Sequence, residues 1–538
     1  MQAFTCEYLL KKVATSTAIL VGLCALSGLA FAASPPNIAT MSLPAGTVGQ
    51  TYSAQLNATD GISPYTWSLL PSNSLPPGLS LSSSGLISGT PTTTAISSFT
   101  VQVADSMSQT EQKVFSISST SPSAACAPTG GGTCYYVSPT GSDSNNGSSN
   151  SPFATIQKAA SVVSPGDMVI VRDGTYSNSA AIGENAALVQ MTRGGTSSNW
   201  ITFVADHKWG AVLDGLVDLS NSNCSGIDPT NCGTGEGWTF YVTNTNCSNP
   251  STDACYIRLQ GFEIKRFRGD AFSNYGGGQY LDLAQNHIHD MGRYCANTNT
   301  GRDGIYLSSP NVTVEQNLIH DIGRLAPGEN GCSPNINYQN HDHGIYVGAR
   351  SNPTSVASNV TIENNILYNI ERGWGVQVYN GDGQVPDHLS VLNNTFAFAN
   401  PWRQGQIIFG VQTTNALIEN NVFYKPLTAA VYFDPPFTNS SITLANNVVT
   451  ETFVAMSYDG STVLHDPTSA AGATYSNNKE ATDPKLFCPS AYDFRLVSGS
   501  PAIDAGLTLS GVTNDFSGIT RPQGAGYDMG AYEFDCCF

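Results

Sequence analysis

The segments YLDLAQNHIHD (280–290), VTVEQNLIHD (312–321), VTIENNILYN (360–369), LSVLNNTFAF (389–398), ALIENNVFYK (416–425) and ITLANNVVTE (442–451) share one grammar: an apolar alternating run, an Asn, then a second apolar run. The aligned asparagines are Asn286, Asn317, Asn365, Asn394, Asn421 and Asn447, separated on subtraction by 31, 48, 29, 27 and 26 residues. A period in the twenties with one insertion marks a solenoid. Each unit holds short period-two runs rich in Val, Ile, Leu and Tyr, and none has room for a long amphipathic helix. Strands and tight turns in a coil of about two dozen residues predict a parallel β-helix, with identical positions stacked about 4.8 Å apart. Asn fits the fixed turn because it tolerates a left-handed bend and because stacked amides hydrogen-bond from coil to coil. An antiparallel sandwich accounts for the pattern less well, since its hairpins do not need Asn at one register in every unit.

At 538 residues the chain holds two or three units. Residues 1–32 carry Lys11 and Lys12 before an apolar run and end on Ala30-Phe31-Ala32, which predicts a cleaved export signal, no stable membrane insertion, and a location outside the cell or on its surface. Without it, 22 − 2 = 20 basic and 40 − 1 = 39 acidic residues leave a net charge of −19. That argues against a nucleic-acid partner. Ten of the 20 basic residues lie between Arg258 and Arg403, placed either to face an anionic ligand or to pair locally. Thirteen cysteines less Cys6 and Cys24 leave 11, with Cys126/Cys134, Cys224/Cys232 and Cys247/Cys255 spaced as local staples. Cys295 and Cys332 flank one repeat, and Cys488 has Cys536 or Cys537 as a partner. No paired C-x-x-C spacing occurs, so a zinc site is not expected.

Residues 34–119 read as a separate β-sandwich, with short strands broken by Gly, Pro and Ser turns. Its phrases PYTWSL (64–69), LPPGLSLSSSGLISGTPT (75–92) and FTVQVADS (99–106) resemble the bacterial Putative-Ig family of Ig-like or cadherin-like modules, which implies a spacer or adhesive role. Residues 120–134 form a linker. The next stretch, YVSPTGSDSNNG (136–147), PFATIQKA (152–159), PGD (165–167) and DGTY (173–176), resembles the opening of secreted right-handed parallel β-helix proteins of the pectin-lyase-like type. There it forms a cap helix and first coil, and the resemblance implies a β-helix over 135–480. SPAIDAG (500–506) and DMGAYE (528–533) resemble the terminal module of such proteins, so 481–538 is expected to finish the last coils and cover their edge. The fold class is therefore all-β: a right-handed parallel β-helix preceded by a small Ig-like sandwich.

Aligning RGDAFS (268–273), GRDGIYLS (301–308), HDHGIYVG (341–348), RGWGVQVY (372–379) and RQGQIIFG (403–410) stacks Asp270, Asp303, His343, Trp374 and Gln404, with Arg302, Asp342 and Arg403 beside them. Tyr306, Tyr346 and Gln377 share the outward parity, whereas Ile305, Ile345 and Val376 face the core. This row changes from coil to coil, as a working site would. His289, Asp290, His320 and Asp321 repeat identically and read as a structural turn. A scaffold of this resemblance carries polysaccharide lyases and some glycosidases. Elimination on a uronate needs its carboxylate neutralised, a base and an acid. The residues assigned are Asp270, Asp303 and Asp342 for Ca²⁺, His343 or Lys265 as base with Asp303 beside it, Arg302 or Arg372 as clamp, and Tyr346 as acid. Trp374, Tyr306, Gln377, Arg403 and His341 would line the groove. The expectation is a monomeric lyase acting on an acidic polysaccharide. The alternatives are a glycan-binding adhesin or a glycoside hydrolase, for which Asp303 and Asp342 on successive coils are the carboxylate pair.

Overall fold

The computed structural model describes residues 35–534 apart from positions 72, 94, 326 and 371 and the stretches 121–122, 179–182, 218–233, 244–245, 296–300, 330–331, 334–340, 350–355, 381–383, 399–404, 435–440 and 457–472. The expected export signal, the Cys224/Cys232 pair, Arg403, Gln404, Cys536 and Cys537 fall outside the described residues. The chain divides into two compact units, Met1–Ser123 and Ala124–Phe538.

In the first unit a four-stranded sheet (Gly46–Thr47, Thr110–Thr120, Ala95–Ala104, Thr66–Leu69) and a three-stranded sheet (Tyr52–Gln55, Leu86–Gly89, Leu79–Leu81) share one core. Trp67, Phe99, Val101 and Phe115 from the first meet Tyr52 and Ile87 from the second. This is a β-sandwich. Asp105 accepts the amides of Ile62, Met107 and Gln109, so its carboxylate organises a turn.

The second unit winds through three parallel sheets. Sheet A has 11 strands, from Cys134–Val137 to Ala473–Ser476, and sheets B and C have 9 each, from Gly174–Tyr176 to Val448–Val449 and from Gly183–Met191 to Thr452–Met456. Each coil passes A, B, C in turn. Alternating residues point inward and stack on their own kind: Val314, Ile362, Val391 and Ile418 in A, Ile288, Ile319 and Leu367 in B, and Ile305, Ile345 and Val376 in C. All are at most 1% exposed. Burying each contributes roughly 1.5–3 kcal/mol. The helix Ile156–Val162, capped by Thr155, buries Ile156, Ala159 and Ala160 against this core at its first coil.

The A-to-B turns hold the asparagine ladder. Oδ1 of Asn317, Asn365, Asn394, Asn421 and Asn447 each accepts the backbone N–H of the preceding Asn at 2.8–2.9 Å and its Nδ2 at 2.9–3.1 Å. Asn478 extends the row one coil further. The left-handed bend expected of these residues belongs to their predecessors: Gln285, Gln316, Asn364, Asn393, Asn420 and Asn446 have φ between 52° and 59°. In each Asn-Asn pair one residue bends the chain outward and the next stacks inward.

Those outward residues grip the C-terminal segment. Asn393 Nδ2 donates to Asp528 O at 2.8 Å, Asn420 Nδ2 to Leu507 O at 2.9 Å, and Asn446 Nδ2 to Ala505 O at 2.9 Å. Asn364 Oδ1 accepts from Arg521 at 3.0 Å, and Gln316 Nε2 donates to Asp515 O. Phe494, Phe516, Met529 and Ala531 cover Ile366, Tyr368, Val422 and Val448 of sheet B. Lys208 reaches Phe516 from an early coil, its ammonium 5.1 Å from the ring, and burial pushes that amine down to about 8. The module expected to cover the last coil's edge therefore runs lengthwise along the flank, because the outward Asn side chains repeat along that line.

Candidate functional site: the B-to-C turns and the outer face of sheet C

Strand register places Trp238, Phe272, Ile305, Ile345, Val376 and Ile407 side by side. Two residues upstream the row is therefore Glu236, Asp270, Asp303, His343, Trp374 and Gly405, so Gly405 takes the place assigned to Gln404. The expected working ridge is a second ladder. Asp270 Oδ1 accepts the amide of Asp303 at 2.9 Å, Asp303 Oδ1 that of His343 at 2.9 Å, and His343 Nδ1 that of Trp374 at 3.0 Å. Asp303 is 2%, His343 0% and Trp374 1% exposed.

This corrects three assignments. A ring whose Nδ1 accepts an amide carries its proton on Nε2, so neutral His343 is a donor at its other edge and not a base. Asp303 spends a carboxylate oxygen on His343 and is not open to a substrate. Trp374 packs 5.1 Å from Tyr432 and beside Ile408 and Ala429, leaving no face for a sugar. Gly373 is required here, since a Cβ would overlap the Asp342 carbonyl and His343 Nδ1.

The arginines are also inward. Arg324 Nε meets Asp342 Oδ2 at 2.9 Å with both side chains fully buried, and Asp342 Oδ1 accepts the Arg302 amide at 3.0 Å. Arg302 Nε donates to the Tyr294 hydroxyl at 2.6 Å, and Arg372 Nε to the Arg324 carbonyl at 2.8 Å. Arg293 and Arg372 both reach Glu329, at 2.8 and 3.5 Å. The disulfide Cys295–Cys332 closes the same loops. Arg302 and Arg372, 5% and 3% exposed, are thus pillars between turn loops rather than clamps on a ligand. Asp342 does not fit calcium, because both its oxygens already face a guanidinium and amides, and a cation would have to displace Arg324. It is equally closed as the partner of Asp303 in hydrolysis.

Lys265 lies on sheet B, in register with His289 and away from this row. Its ammonium meets Glu263 Oε1 at 2.6 Å. Burial works to raise the Glu263 carboxyl, but hydrogen bonds from His289 and Lys265 outweigh it and hold the group at about 2. Lys265 is thus tied to Glu263 on another sheet and does not face the row. Elsewhere the cations also pair locally: Arg258 with Asp282 and Glu315, and Arg266 with Asp214.

Four candidates remain half-exposed on the sheet C side: Asp270, His341, Tyr346 and Gln377. Tyr306 stacks on Tyr346 at 5.1 Å and 16°, and at 2% exposure supports that ring instead of meeting a ligand itself. Tyr275, 6.5 Å from Tyr306, is 54% exposed, and Tyr379 is 44% exposed. Tyr379 sits opposite Gly348, two residues beyond Tyr346 on the same face. Carrying the alternation one step past Gln377 would have found it. Glu236 could have been found from GEGWTF (235–240), whose Gly237 shares the register of Gly304, Gly344 and Gly375. Together these groups offer ring faces for apolar sugar surfaces, a phenol for proton transfer, and carboxylates at one end.

Residues 135–322 match the family model described as Pel9A-like, right handed beta helix region, residues 333–482 match Right handed beta helix region, and residues 35–120 match Putative Ig domain. Among solved structures, pectate lyase Pel9A aligns at 17% identity over 76% of this chain and 98% of that one, with a TM-score of 0.45. A rhamnogalacturonan lyase aligns at 16% over 72% and 99% (TM-score 0.41), and an alginate lyase from Paenibacillus sp. at 15% over 65% and 95% (TM-score 0.39). No curated protein matches the chain. The family models and the three parallel sheets make this chain a right-handed parallel β-helix protein of pectin-lyase-like fold with an N-terminal Ig-like module.

Proposed function

We propose that this chain is an extracellular, monomeric polysaccharide lyase that lays an acidic glycan along the outer face of sheet C. The observation that carries the reading is the row of open tyrosines, Tyr275, Tyr346 and Tyr379, with buried Tyr306 supporting the first two from between. Aromatic faces repeating along the solenoid axis suit a polymer of rings. The match to a family model named for Pel9A favours elimination over hydrolysis. Tyr346 is the proton-transfer group in this reading, with His341 and Gln377 flanking it. The disulfides Cys126–Cys134, Cys247–Cys255 and Cys295–Cys332 support an oxidising, extracellular location. Among the described residues no helix is long and apolar enough to cross a membrane.

A binding-only role is the second reading, favoured by the pinning of Asp303 and His343 onto backbone amides. Incubation with pectate, alginate and neutral glycans separates the two. Elimination yields an unsaturated, ultraviolet-absorbing product, hydrolysis yields reducing ends without it, and an adhesin retains the polymer unchanged. Tyr346→Phe keeps the stack and removes the hydroxyl, so turnover should fall about 10²–10⁴-fold while glycan retention persists. Undiminished turnover in that variant removes Tyr346 from the chemistry.

A further inference from the structure

On sheet B, away from the tyrosine face, three imidazoles meet. His287 and His289 alternate on one strand, His287–Met291, so both point outward, and His320 lies in register with His289 on the next coil. His287 Nε2 and His320 Nε2 are 2.8 Å apart, and one ring nitrogen from each of the three lies within 4.8 Å of the others. These separations bracket the roughly 3.4 Å that tetrahedral bonds of about 2.1 Å to zinc impose between nitrogen ligands.

The surrounding groups set the rings for ligation. His320 Nδ1 donates to Asp321 Oδ2 at 2.6 Å and His289 Nδ1 to Asp290 Oδ2 at 2.8 Å. A carboxylate on Nδ1 fixes the tautomer whose Nε2 presents a lone pair, the arrangement found behind metal-bound histidines. Glu263 Oε1 accepts from His289 Nε2 at 3.3 Å and from Lys265 at 2.6 Å, so an ion at that nitrogen displaces only the longer of the two bonds. Trp209, 4.9 Å from His287, walls one side, and Tyr368, stacked at 4.6 Å on His320, the other. All three histidines are half-buried, open enough for an ion to enter. Cysteine spacing could not have revealed this site, because its donors are imidazoles 2 and 31 residues apart along the chain.

We propose that His287, His289 and His320 bind one divalent transition-metal ion of the zinc class through nitrogen, leaving the fourth position to water or an exogenous ligand. Three imidazoles select borderline metals over calcium or magnesium, which take oxygen. His287 Nε2 donates to His320 Nε2, so when the ion binds His287 releases that proton to water and takes one up at Nδ1, remaining a neutral ligand.

The test uses the full exported chain, purified without a polyhistidine tag, stripped with chelator and dialysed. Calorimetric titration with ZnCl₂ should show one ion per chain, and NiCl₂ should quench Trp209 fluorescence. The double variant His287→Gln/His320→Gln should lose the calorimetric uptake, and Asp321→Asn, which keeps every ligand, should weaken it about 10–100-fold. If the double variant fails to fold, Asp321→Asn alone decides. No uptake by the wild type, or uptake unchanged in folded variants, overturns the site.

Discussion

Replacing Asn365 by Ala removes one rung from the middle of the asparagine ladder. Its Oδ1 accepts from the backbone N–H and Nδ2 of Asn317 at 2.8 and 2.9 Å, while its Nδ2 donates to Val314 O at 2.8 Å and Asn394 Oδ1 at 3.0 Å. The side chain is 0% exposed, so solvent cannot replace these bonds without opening the turn. Asn394 Oδ1 keeps its bond from the Asn365 amide and Asn317 Nδ2 keeps its bond to Leu283 O, which leaves two groups, the Asn317 N–H and Val314 O, to lose this partner. At about 1–3 kcal/mol for each unsatisfied buried group, and with partial relaxation, the cost is about 3–5 kcal/mol. Asn365→Leu fills the space but restores no hydrogen bond, so it should cost at least as much. Asn478→Ala, at the half-buried end of the ladder, should cost only about 1 kcal/mol. Guanidinium unfolding of residues 124–538, followed by circular dichroism, measures all three, and amide exchange at Asn317 reports the local opening. A cost below about 1 kcal/mol for Asn365→Ala, or equal costs at Asn365 and Asn478, would refute the reasoning that buried amide satisfaction holds the turns.

Three further outcomes are expected. Arg324→Met leaves the Asp342 carboxylate buried without its cation and should destabilise the chain by about 3–5 kcal/mol in thermal melts, whereas Arg324→Met with Asp342→Leu should recover much of that loss. Reduction of Cys295–Cys332, which spans 37 residues, should cost about 3–4 kcal/mol in the chain-entropy account, read by comparing melts of wild type and a Cys295→Ala/Cys332→Ala variant. Burial first, then the charges of Glu315 and Asp282, raise the Glu363 carboxyl from 4.5 to about 7. The folded chain therefore holds a proton there that the unfolded chain has shed, so this stabilisation is full below pH 4.5 and lost as pH climbs through 7. Glu363→Gln should flatten that slope and stabilise the chain at pH 8 by on the order of 1–3 kcal/mol, read as a higher melting temperature.

The coils were legible because one residue type does one job at one register. Asn286 to Asn447 each satisfy the same buried turn, so the same letter recurs, and parity placed Ile305, Ile345 and Val376 inward correctly. Accessibility was not legible. His343 and Asp303 stand in the row that parity assigned them, yet loops from other coils bury them, and the sequence spacing of a loop says nothing of where it folds back. Arg324 and Glu329, which neutralise the row, sit in such a loop. Lys265 was misplaced for a simpler reason: EIK at 263–265 aligns with HIH at 287–289, and extending the repeat by one coil would have put it on sheet B. The outward Asn beside each stacked one carried no visible purpose until the C-terminal segment lay across it.

That strap has a consequence for biogenesis. Residues 486–534, synthesised after the coils they lie on, supply the cover for Ile366, Tyr368, Val422 and Val448 and touch coils begun as early as Lys208. A ribosome that releases the chain from its N-terminus thus delivers a wound solenoid with one greasy seam open until residues 486–534 emerge. Stalling or clipping at that stage leaves a near-complete particle that sticks to its own kind along a line, and quality control acting on this protein has that seam to read.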